Sequence, residues 1–277
     1  MQIIDAHMHA DFDSKWLKNI GHSCEVDFSP DALKKEMESC NVTRCVSMGL
    51  RSTDLEMDIN APTPYETPEN LKLPEITYIG GVNPYFAGSE YLEKTRQSIA
   101  AGRISGLKIY LGYFAFPPDA PVYRAYYRLA EELHIPVIFH TGDTKSSDAR
   151  LKYAHPLGID EIAVEYRQVN FLIAHLGNPW LMDAAAVVSK NENVYADLSG
   201  FVAGCDNYSY ALEYLLPRIK EAVEWIAEPS RLLYGSDWPL TPMKGYIDFI
   251  RTIFPHEDIR EMVFYKNALN FFKLQLE

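Results

Sequence analysis

Short apolar runs alternate with longer segments of helical periodicity from one end of the chain to the other. The runs at 3–9, 42–50, 76–82, 104–111, 136–141, 170–175, 194–198 and 232–236 have the length and character of strands. The segments at 29–40, 90–101, 119–133, 158–166, 179–189, 209–226, 243–253 and 256–276 read as helices. Ser29-Pro30-Asp31 opens the first of these with a capping hydroxyl and a proline at the first helical position, and its apolar stripe is Leu33, Met37 and Cys40. Two stretches carry no period. Residues 11–28 read as an irregular loop, and 51–74 is a polar, proline-containing segment whose length points to function.

Eight strands, each followed by helical sequence, predict an α/β protein of the (β/α)8 barrel type. The 277 residues suit one such domain spanning 1–277, since these barrels typically run to about 250 residues. No Gly-, Ser- or Pro-rich linker, low-complexity tract or sequence repeat divides the chain. A doubly wound open sheet is the other architecture with this rhythm. It is disfavoured because no Gly-rich phosphate turn follows the first strand.

Composition adds limits. With 47% hydrophobic residues the chain can bury a sizeable core. A net charge of −12 without basic blocks argues against nucleic acid and anionic membranes as partners. Cys24, Cys40, Cys45 and Cys205 form no C-x-x-C pair and read as free thiols. Asp5, His7, His9 and Asp11 interrupt the N-terminal apolar run, and no run has the roughly 18 apolar residues of a membrane span, so a cytoplasmic protein is expected. A small-molecule substrate fits this picture, and a homo-oligomer is compatible with it.

The candidate chemistry lies at the strand ends. On a strand, alternate side chains share a face, which would place His7 and His9 together with Asp5 beneath them and Ala6 and Met8 opposite. Two imidazoles so placed make a metal clamp that needs further ligands from elsewhere. In a barrel, functional groups converge from the C-terminal ends of the strands. Those ends carry His7 and His9 on the first, Lys108 on the fourth, His140 on the fifth, His175 on the sixth and Asp237 just past the eighth. Histidines and a carboxylate in this arrangement can hold a divalent metal and leave positions for water and substrate.

These motifs resemble the amidohydrolase superfamily, in particular the amidohydrolase-2 branch that includes aminocarboxymuconate-semialdehyde decarboxylase. They are His7-Met8-His9, Gly106-Leu107-Lys108, the run from Val137 to Gly142 around His140, Ala174-His175-Leu176-Gly177 and the run from Tyr234 to Pro239 around Asp237. Tyr265-Lys266-Asn267-Ala268 is also similar to the family's ending. The resemblance implies one divalent metal, zinc or manganese, held by His7, His9, His140 and Asp237. His175 would stand beside it as proton-transfer group or further ligand, and Asp237 would also take a proton from water. A second metal bridged by a carboxylated Lys108 is the alternative to Lys108 as an ammonium that receives a substrate carboxylate.

Arg51, Tyr110, Tyr113 and Trp238 are further candidates for the substrate pocket, and Asp5 for support beneath the metal. For each, a packing or structural role is the competing reading. The expected reaction is hydrolysis of an amide, ester or lactone by metal-activated water. A non-oxidative decarboxylase or hydratase would use the same residues, and a catalytically silent metal-binding barrel is the remaining alternative.

Overall fold

The computed structural model describes residues 1–52, 57–204 and 208–275. Its centre is a sheet of eight parallel strands in sequential order, β1 (Ile3–Met8), β2 (Val42–Met48), β3 (Ile76–Val82), β4 (Leu107–Tyr110), β5 (Val137–His140), β6 (Phe171–Ile173), β7 (Val194–Asp197) and β8 (Leu232–Leu233). Backbone hydrogen bonds from Ala6 N to Tyr234 O, Asp237 N to His7 O and His9 N to Trp238 O carry the last strand back to the first and nearly close the ring. The fold is the expected (β/α)8 barrel. No helix among the described residues is long and apolar enough to cross a membrane.

Around the sheet lie α1 (Lys15–Ser23), α2 (Pro30–Cys40), α3 (Ser89–Ala100), α4 (Pro121–Leu133), α5 (Gly158–Glu165), α6 (Leu181–Lys190), α7 (Tyr208–Tyr210), α8 (Leu216–Ile226), α9 (Met243–Arg251), α10 (Glu257–Glu261) and α11 (Asn267–Phe271). Two apolar layers result. Inside the barrel, Ile4, Ala6, Val46, Met48, Ile79, Ile138, Leu172 and Leu233 pack together, and Ala268, Phe271 and Phe272 join them. Outside, the alternate strand residues such as Leu107, Ile109, Val137, Phe139, Phe171 and Ile173 pack against the helices.

The strands also carry buried polar side chains, among them His7, His140, Asp197 and, deepest in its strand, Lys108. Lys108 stands in register with Gly81 and Ile138 and is fully buried.

Several expectations need correction. Residues 11–28 are not wholly irregular: the Ser14 side chain accepts from Leu17 N, caps α1, and lets Leu17 and Gly21 pack inward. Only a single 3-10 turn, Glu69–Leu71, follows β2 among the described residues, so helical sequence does not follow every strand. The strands toward the end of the chain are shorter than their apolar runs, because the backbone turns away early to present side chains at the rim. His175 thus sits in a left-handed turn (φ 60°) beyond β6 instead of on it. The segment read as one helix over 256–276 is continuous from Glu257 to Phe271, α10 passing through a wider helical turn at Met262–Lys266 into α11, and it ends short of the expected bound. Leu276 and Cys205 lie outside the described residues.

Asp5 is also misplaced by simple alternation. The register of β1 against β2 shifts between Asp5 and Met8, so Ala6 packs in the inner layer and Met8 in the outer. Asp5 pairs in register with Cys45 of the outer layer, and its carboxylate accepts from His7 N, Ser236 N and Ser236 Oγ. It therefore ties the end of β1 to the loop beyond β8 and makes no hydrogen bond to either imidazole ring.

Candidate active site

His7, His9 and Asp237 meet at the open end of the barrel, each offering a ligand atom within 4.8 Å of the others. Asp237 Oδ1 is 3.2 Å from His9 Nε2 and 3.8 Å from His7 Nε2. The opposite nitrogens are already committed. His7 Nδ1 donates to Asp197 Oδ2 at 2.8 Å, and His9 Nδ1 faces the carbonyl of Met48 at 3.4 Å. A carbonyl only accepts, so each ring keeps its proton on Nδ1 and turns the lone pair of Nε2 toward the carboxylate of Asp237. Three electron-rich atoms thus converge where a cation would be stabilised. Imidazoles oriented through their second nitrogen by a carboxylate or carbonyl are the usual support of a metal site.

His140 and His175 form a second pair beside this group. His140 Nε2 donates to the Asp143 carbonyl at 3.0 Å, leaving Nδ1 bare and 3.3 Å from His175 Nε2. His175 Nδ1 in turn donates to Ser199 Oγ at 2.8 Å. Two lone pairs therefore face each other, an arrangement that a cation drawn between them would relieve. Burial lowers the basicity of both rings, and charges on Asp237 and Asp197 oppose that at His175.

The electrostatics separate the carboxylates from the imidazoles. Burial alone would favour a neutral Asp237, but the close approach of His9 and the charge that the surrounding histidines can take up outweigh it and hold the carboxyl well below its ordinary range. Asp197 behaves likewise against His7. His7 is lowered to about 4, first by burial and then by the charge of Lys108. Ionised carboxylates and neutral imidazoles are the protonation states that bind metals.

Lys108 is a cation among the buried polar groups that lack a hydrogen-bond partner, Tyr110 and Asp237 Oδ1 being others close to it. Its Nζ is buried with no hydrogen-bond partner among the described residues and lies 5.3 Å from the centre of the Tyr110 ring. Burial lowers it to about 8, against the pull of Asp197 and Asp237. It lines a cavity of about 210 Å³ that His7, His9, His140, His175 and Asp237 share with Trp16, Leu50, Tyr110, Tyr113 and Phe201. Tyr110 stacks on His140 with ring centres 6.4 Å apart, and Tyr113 meets the same ring edge-on at 4.9 Å.

The cavity gathers most of the candidates expected from sequence. His7, His9, His175, Lys108, Asp237, Tyr110 and Tyr113 all line it, as does His140, whose ring nitrogens engage Asp143 and His175 and do not join the three-ligand group. Arg51 does not line it. It lies beside Asp13 (3.6 Å), Asp58 (3.9 Å) and the ring of Tyr65. Trp238 is fully buried between Phe12 and Phe28, and its Nε1 donates to Glu36 Oε2 at 3.0 Å, a packing role away from the cavity. Asp197 and Ser199 are not among the sequence candidates, although Asp197 ends β7 and the strand-end criterion that selects His140 applies equally to it.

Comparison with known proteins agrees with this geometry. An amidohydrolase family profile matches residues 72–274. The chain belongs to the amidohydrolase family. Members of this family generally bind a divalent metal, and the His7, His9 and Asp237 group fits that property.

No curated protein sequence matches the chain. Among solved structures, a probable 2-pyrone-4,6-dicarboxylic acid hydrolase from Acinetobacter baumannii, with citric acid bound, is 17% identical at a TM-score of 0.67, over 99% of this chain and 100% of that one. A 2,6-dihydroxybenzoate decarboxylase from Rhizobium is 16% identical at 0.69, over 99% of each chain. An amidohydrolase from Burkholderia multivorans with bound zinc is 15% identical at 0.66, over 99% and 100%. At these identities the likeness is one of fold. The family to which the chain belongs thus includes both hydrolases and decarboxylases among its structural neighbours.

Proposed function

We propose that the chain is a metal-dependent hydrolase of a small, carboxylate-bearing molecule, cleaving an amide, ester or lactone bond. The observation that carries this reading is the placement of an unpartnered buried ammonium, Lys108, in the same cavity as the converging His7, His9 and Asp237. A buried cation that no anion contacts directly is costly even with Asp197 and Asp237 nearby, and an anionic substrate group relieves that cost on binding. The pyrone dicarboxylic acid hydrolase and the dihydroxybenzoate decarboxylase both bear substrate names that are carboxylic acids, which supports the substrate class.

In this reading His7, His9 and Asp237 hold one divalent metal, zinc by analogy with the Burkholderia structure. When bound, such a cation supplies Lewis acidity, polarising a carbonyl and acidifying water. Lys108, mostly charged at neutral pH, receives the substrate carboxylate and sets its orientation. Asp237 accepts the proton of the attacking water. His175, with Nδ1 anchored on Ser199, takes that proton from Asp237 on its bare Nε2 and passes it to the leaving group, and His140 lies next to it to share the proton. Tyr110, Tyr113 and Phe201 wall the cavity with ring faces suited to a flat substrate.

The fold likeness to a decarboxylase keeps non-oxidative decarboxylation as the second reading, since it needs the same carboxylate anchor and proton carrier. Elemental analysis of protein purified without chelator, combined with a panel of carboxylated lactones, esters, amides and aromatic acids, tests both. Metal at one equivalent with hydrolysis of a panel member, abolished in His7→Ala, is the expected result. Release of carbon dioxide without hydrolysis transfers the assignment to the second reading. Two equivalents of metal would assign Lys108 a bridging role, and a metal-free, inactive protein that gains nothing from zinc or manganese overturns both readings.

A further inference from the structure

Asp197 accepts four hydrogen bonds beside the cavity, and orienting His7 accounts for only one of them. It is fully buried at the end of β7. Its Oδ1 accepts from His175 N at 2.9 Å, from Ser199 N at 3.1 Å and from Ser199 Oγ at 2.5 Å, while Oδ2 accepts from His7 Nδ1 at 2.8 Å. The two backbone N–H groups can only donate, which makes Oδ1 an acceptor. The Ser199 hydroxyl proton points to the same oxygen, so Ser199 Oγ has only lone pairs left for His175 Nδ1 at 2.8 Å. Hence His175 carries its proton on Nδ1, as His7 does.

We propose that Asp197 and Ser199 are positioning residues that jointly fix the tautomers of His7 and His175, so that both rings offer Nε2 to the cavity. One carboxylate thereby couples a candidate metal ligand on the first strand to the candidate proton carrier beyond the sixth. The backbone of His175 supports the assignment. Its left-handed φ of 60° is uncommon for a residue with a side chain, and the bond from its N–H to Asp197 is a local compensation for that strain.

The tautomer assignment is independent of the proposed reaction, whereas its consequence for metal affinity rests on that reading. The test is long-range 15N–1H NMR of the imidazoles in metal-free protein, with signals assigned through His7→Gln and His175→Gln, together with zinc affinity by chelator competition. In the wild type both rings are expected as the Nδ1–H tautomer. Asp197→Asn places an amide N–H where an acceptor is needed, so His7 should shift toward Nε2–H and zinc affinity should fall about 10–100-fold. Ser199→Ala should alter chiefly the tautomer of His175 and leave zinc affinity within about threefold, because His7 Nδ1 keeps its shorter contact to Asp197, 2.8 Å against 3.3 Å to Ser199 Oγ. A wild-type spectrum with Nε2–H on either ring overturns the proposal even if a variant fails to fold. So does Asp197→Asn with unchanged tautomers and unchanged zinc affinity. If the tautomers are as expected and wild-type protein binds no zinc, the metal-dependent reading fails and the positioning role stands.

Discussion

A Cβ added at Gly200 would lie 2.6 Å from His175 Nδ1 and 3.2 Å from Asp237 Oδ2. Gly200 also has a φ of 69°, which side chains rarely adopt. Gly200→Ala therefore combines backbone strain with displacement of two functional groups. Gly204, at φ 78° with nothing within 4 Å of where a Cβ would stand, isolates the first effect. Gly204→Ala is expected to cost about 1–2 kcal/mol in urea unfolding and to leave zinc affinity unchanged. Gly200→Ala should cost more and should lower zinc affinity or turnover about tenfold or beyond. Equal behaviour of the two variants would show that the close approach to His175 has no functional consequence.

Lys108 bears on stability in the opposite sense. Its pKa is lower in the folded chain, about 8, than the ordinary 10.5, so below pH 8 the folded state must keep a charge that burial disfavours. Replacing it with methionine removes that cost. Lys108→Met in metal-free protein is expected to be more stable by up to about 3 kcal/mol at pH 7. The gain should shrink as pH rises from 8 to 10.5, because the wild-type folded state has by then released a proton that the unfolded chain still binds. Denaturant melts at pH 7 and pH 10 check the sign. The same variant should lose carboxylate substrates through a raised KM.

The parts of this protein that can be read from its sequence are those that obey a period. His7, His9, His140, His175 and Asp237 stand out because barrels expose the C-terminal ends of their strands, and each lies at or past such an end, whereas Lys108 reaches the same cavity from inside β4. Asp197 satisfies the same criterion, but an aspartate at a strand end is a less distinctive sign of a metal or proton-transfer site than a histidine there. Asp5 falls on the wrong side of the expected alternation because the shift of register within β1 breaks it, and nothing in Asp5-Ala6-His7-Met8 signals the shift. Helix α1 is hidden in polar sequence, where only Ser14, three residues before Leu17, marks a start. Arg51 and Trp238 show a further limit: proximity in sequence to a strand end or a ligand does not decide which way a side chain points.

Glu36 of α2 holds the segment beyond Asp237 from outside the barrel. Its carboxylate accepts from Trp238 Nε1 at 3.0 Å and from Met243 N at 2.5 Å, and burial raises its pKa. Glu36→Ala leaves two sheltered N–H groups without acceptors, each worth about 1–3 kcal/mol. Glu36→Gln keeps an acceptor oxygen and should lose about half as much. Because Trp238 directly follows Asp237, the alanine variant is also expected to bind zinc more weakly than the glutamine variant. Chelator competition on both proteins measures this, and equal affinities would confine Glu36 to a purely structural role.

Metal binding itself should be visible as stability. A ligand that binds only the folded chain adds about 2.7 kcal/mol at a hundredfold excess over its Kd. The melting temperature of the wild type should therefore rise with zinc and fall back on chelation. His7→Ala and Asp237→Asn should abolish the rise, since each removes one of the three converging atoms. His140→Ala separates two ligand sets. If His140 is a fourth ligand, as the family resemblance implies, the variant should lose most of the zinc-dependent increment. In the present geometry its bare Nδ1 faces His175 and not Asp237, so the expected result is an increment largely retained alongside a turnover that is lost. Loss of the increment in His140→Ala would mean that the ring turns from His175 to the metal when zinc binds.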